Sequence, residues 1–91
     1  MGNIEAGSVV ALTWVDILHE DDVTEYEATR LQPSEATSYG QLLVDTDEKV
    51  VIVETNFADG DKRGVICLPK CVVKSITLYE EVKVWKVDGS L

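Results

Sequence analysis

Ninety-one residues, 17 acidic and 8 basic side chains and a formal net charge of -9 describe one acidic domain, and 45% hydrophobic composition makes it a folded one. The chain has no apolar run near the roughly 20 residues a membrane helix needs. Its charge works against nonspecific association with nucleic acid or anionic lipid. The start, Met-Gly-Asn-Ile-Glu, lacks the basic and apolar regions of a signal peptide, so a cytoplasmic protein is expected.

Residues 1–8 read as a lead-in. Val9 to Leu18 is rich in β-branched and aromatic residues and apolar on both faces, which predicts a core strand with Trp14 buried. Residues 19–38 are polar and acidic, a long loop of the kind that often carries function. Within it the weak alternation of Val23 to Ala28 suggests a short irregular strand or hairpin. Tyr39–Val44 is the second strand, and Asp45 to Glu48 a turn in which Asp side chains bond their own backbone. Lys49–Thr55 is the third strand. Asn56 to Gly64, with its Asp-Gly pair, is a hairpin tip. Val65–Leu68 is the fourth strand. Pro69 lacks an amide hydrogen, so Pro69-Lys70-Cys71 is expected to form one tight helical turn. Val72–Tyr79 is the fifth strand, and Val82–Val87 alternates as a sixth.

Little of this pattern serves catalysis. The only histidine, His19, reads as an exposed loop residue among acids. Cys67 and Cys71 frame Leu-Pro-Lys with no second ligand pair nearby, so the expectation is buried free thiols rather than zinc. Asp45-x-Asp47 and Asp59-x-Asp61 lack the closing Glu of a calcium loop, and no Gly-rich phosphate loop is present. No cofactor, metal or enzyme activity is expected. Charge is uneven: residues 1–48 carry 11 acids against one base, Arg30, whereas residues 49–91 carry 6 acids and 7 bases.

The order strand, long loop, strand, short turn, strand, hairpin, strand, helical turn, strand predicts an all-β fold, a small SH3-like barrel of five to six strands over residues 9–79. Residues 80–91 then form an extra strand and tail. The chain also resembles small open reading frames of bacteriophage and prophage genomes. The matching residues are Thr13-Trp14-Val15-Asp16, Tyr39-Gly40-Gln41-Leu42-Leu43, Val50-Val51-Ile52-Val53 and the run Gly64 to Ile76. The heavier acidic loop and the tail depart from that pattern. The resemblance implies a source and a fold, and no mechanism.

On such a barrel the first loop, the second turn and the helical turn gather at one rim, which would bring together Tyr26, Arg30, Tyr39 and Lys70, with Lys74 just beyond. Aromatic and cationic side chains suit protein hot spots, and equally a nucleotide's base and phosphate. The expected function is a small acidic phage accessory protein that binds and inhibits a host defence protein through a basic surface. The alternatives are a sponge for a small nucleotide signal and a virion or assembly component. No direct nucleic-acid or membrane binding is expected. The segment 82–87 is expected to pair across chains in a homodimer, or else to cover its own barrel's edge.

Overall fold

The computed structural model describes residues 4–81 and 83–88. Strands β1 (Val9–Asp16), β2 (Ser34–Asp45), β3 (Lys49–Asn56), β4 (Lys62–Pro69) and β5 (Val73–Tyr79) make one antiparallel sheet in the order β4-β3-β2-β1-β5. A 3-10 turn, Lys70–Val72, precedes β5, and a one-turn helix α1, Glu25–Ala28, sits in the long loop. The fold is therefore all-β, but the sheet is open: β4 and β5 are its two edges and are not paired with each other.

Chain length nevertheless forces the sheet to curl. Four inter-strand gaps of about 4.8 Å would hold the edges of a flat sheet about 19 Å apart. The link from Pro69 to Val73 is four residue steps and spans at most about 14 Å. The edges must therefore approach each other at the end of the sheet that holds the 3-10 turn. Two ladder irregularities help the strands bend. One leaves Leu43 without a partner between Leu42↔Ile52 and Val44↔Val51. The other leaves Lys74 unpaired between Thr13↔Ser75 and Trp14↔Val73.

Alternation along the strands sends Val10, Leu12, Leu42, Val50, Ile52 and Leu68 to the concave side, where they form the core. Ile4, Trp14, Ile66, Val72, Val73 and Ile76 pack against it. Trp14 is half-buried rather than buried, and its indole N–H donates to Ser38 Oγ at 3.0 Å. Residues 4–8 are tied to the sheet. Ile4 touches the core, and the Gly7 amide and Ser8 carbonyl bond Leu42 at 2.7 and 2.8 Å. At Gly40 an added Cβ would stand 2.7 Å from the Val53 carbonyl oxygen, so β2 crosses β3 there only because the residue has no side chain. Gly60, at φ +96°, turns the β3–β4 hairpin.

Several expectations are corrected. β1 stops at Asp16, not Leu18, and β2 starts at Ser34, five residues before Tyr39. Its polar first half is drawn into the sheet by β1, whose Thr13 to Asp16 need ladder partners. Residues 23–28 hold α1 in place of a strand or hairpin. Thr24 caps that helix by accepting from the Glu27 amide at 3.1 Å. Thr46, not an aspartate, closes the β2–β3 turn, its hydroxyl accepting from the Glu48 and Lys49 amides at 3.2 Å each. Cys67 and Cys71 are free thiols but exposed: Cys67 lies on the convex face of an edge strand and Cys71 in the turn. The expected sixth strand begins at Val82, outside the described residues, and 83–88 form no strand. Among the described residues no helix is long and apolar enough to cross a membrane.

Candidate functional site

The curled end of the sheet leaves a gap between the roots of the long loop and the 3-10 turn. It is a pocket of about 570 Å³, within the usual range of binding pockets. Val15, Ile17, Leu18, Leu31, Pro33 and Val72 give it apolar walls. Cys71, Gln32 and Asp16 complete the lining. The wall exists because the loop leaves β1 through an apolar pair, Ile17-Leu18, and returns to β2 through Leu31 and Pro33. Pro33 fixes the backbone that enters the strand. Ile17 is 86% exposed, an unusual state for an isoleucine next to other apolar side chains.

The loop whose two roots line the pocket is strongly acidic in its first half. Residues 16–27 carry Asp16, Glu20, Asp21, Asp22, Glu25 and Glu27 and no Lys or Arg. His19 Nε2 lies 2.8 Å from Asp21 Oδ1, with both side chains in solvent.

The five residues expected at one rim fall into separate couples. Tyr26 and Arg30 meet on the loop: Arg30 Nη1 donates to the Tyr26 hydroxyl at 2.9 Å, and its guanidinium carbon stands 5.7 Å from the ring centroid. Lys70 is turned inward onto Asp45, with a further bond of 3.2 Å to the Thr46 carbonyl. Lys74, freed from the ladder by the bulge, reaches across β1 to Glu35 at 2.8 Å. Tyr39 stands apart on the convex face opposite Ala11, 62% exposed. The first loop and the 3-10 turn do meet, at the pocket. The β2–β3 turn joins them through Lys70, whose amide donates to the Glu48 carbonyl at 2.8 Å.

Sequence reading missed the apolar lining. Its signal was present, in Ile17-Leu18 just beyond a strand and Leu31 in an otherwise polar stretch. Among the described residues no group of three His, Cys, Asp or Glu is arranged to hold a metal ion. Comparison of the chain with protein-family models, with curated proteins and with solved structures returns no match.

Proposed function

We propose that the chain is a non-enzymatic binding module, a small acidic phage accessory protein that docks on a basic surface of a host protein and inhibits it by covering that surface. The observation that carries this reading is an apolar pocket at the roots of a loop that, with Asp16 at its start, has six acids over residues 16–27 and one cation, Arg30. A protein segment with an apolar side chain beside Lys or Arg satisfies both. A nucleotide fits less well, since the lining contains no cation and includes Asp16. The strand order, the bulges and the 3-10 turn support reading the curled sheet as an opened relative of the SH3-like barrel. The phage source rests on the resemblance over residues 9–79.

The test is titration of the full chain with short synthetic peptides, each bearing one Leu or Trp flanked by lysines, against the same peptides with glutamates. The lysine series should bind, weaken as salt rises and be lost in Ile17→Lys. Equal binding of both series would overturn the reading.

A further inference from the structure

Residues 83–87, Lys-Val-Trp-Lys-Val, have the character the pocket demands: an aromatic anchor between two cations, with no acid among them. They are also unspent. Trp85 is 79% exposed, and residues 83–88 join no strand. The radius of gyration is 17.6 Å, against about 12 Å for a compact chain of this length, so the molecule extends well beyond its sheet.

The segment cannot comfortably fill its own pocket. β5 runs antiparallel to β1 and ends at Tyr79, which pairs with Val9. The pocket lies at the opposite end of β1, beyond Asp16. That strand is about 23 Å long. Trp85 follows Tyr79 by six residues, which span at most about 22 Å when fully extended. The chain also leaves β5 heading away from the pocket and would spend residues on reversing.

We propose that the pocket accepts the segment 83–87 of a second copy of this chain, with Trp85 among Ile17, Leu18, Leu31 and Val72 and with Lys83 and Lys86 facing the acidic loop. Two copies side by side and antiparallel bring each tail to the other's pocket. The exchange is reciprocal and closes as a symmetric dimer. The same segment then competes with any basic partner for the pocket. The proposal rests on reading the pocket as a docking site, not on the identity of the host protein.

The test is sedimentation equilibrium of the full chain at tens of micromolar. The chain should dimerise, and Trp85→Ala and Ile17→Lys should each weaken the dimer about thirtyfold or more. Both positions are exposed, so both variants should melt as the parent does at dilutions where all three are monomeric. Mixing the two variants should give a heterodimer stronger than either variant's homodimer and weaker than the parent dimer, because one of its two contacts pairs an intact tail with an intact pocket. A monomeric full chain, a dimer unaffected by Trp85→Ala, or a mixture that associates no more than either variant alone would each overturn the exchange. If lysine-flanked peptides bind a full chain that remains monomeric, the exchange falls and the docking function stands. If a Trp85-dependent dimer forms that those peptides cannot displace, the exchange stands and the host-binding reading falls.

Discussion

Lys70 was expected to face a ligand, and the structure gives it an internal partner. The Asp45 side chain is only 10% exposed and takes its charge compensation from Lys70. A carboxylate so placed is costly without a partner. Lys70→Ala should therefore destabilise the fold by about 1–3 kcal/mol, a drop in melting temperature of about 4–8 °C per kcal/mol for a domain of this size. Adding Asp45→Val should recover much of the loss, because removing both partners leaves no orphaned charge. Thermal melts of the single and double variants check this, and an innocuous Lys70→Ala would return the lysine to the surface as a free cation. Gly40→Ala makes a second residue-level test. Its Cβ would meet backbone, the Val53 carbonyl oxygen at 2.7 Å and carbon at 3.2 Å, which cannot step aside as a side-chain tip can. A loss of about 1–3 kcal/mol is expected from the overpacking.

Among the elements, the strands whose sequence alternates or is densely β-branched were legible. β3 and β5 lie within a residue of their expected bounds, and Pro69 ends β4 before a single tight turn. What was not legible is whatever tertiary pairing decides. Ser34 to Ser38 carries no strand propensity of its own and becomes β2 because β1 needs a partner. Strand order alone does not say whether the two edge strands bond to close a barrel, and here they do not. The pocket escaped because Ile17 and Leu31 are 14 residues apart in sequence and meet only when the loop folds back. α1 was signalled by Thr24-x-x-Glu27 and lost to a weaker alternation. None of its residues is buried, so Thr24→Ala should fray the loop without moving the global melt. Faster amide exchange at 25–31 with an unchanged melting temperature is the expected pair of results. Leu12→Ala, at the centre of the core, is the opposite case. It should cost about 3–5 kcal/mol and bring so small a sheet close to unfolding.

For the whole molecule, one imbalance acts on stability and on binding in opposite directions. The acidic loop concentrates six carboxylates over residues 16–27 in a chain whose net charge is -9. Arg63, Lys70 and Lys74 already hold Asp61, Asp45 and Glu35, and Arg30 is the one Lys or Arg among residues 16–33, so the carboxylates of the loop are mostly left to repel one another. Self-repulsion favours expansion, and screening relieves it. Raising salt from about 0.1 to 1 M contracts the Debye length from about 10 to 3 Å, less than the spread of the loop. The melting temperature should therefore rise with salt. Over the same range, affinity for a lysine-flanked peptide should fall, because that attraction depends on the same unscreened field. Replacing Asp21 and Asp22 by Asn should flatten both curves together, since neither residue touches the core. A melting temperature that falls as salt rises would mean that the ion pairs of the sheet outweigh the loop. An affinity indifferent to salt would leave the pocket as a purely apolar site.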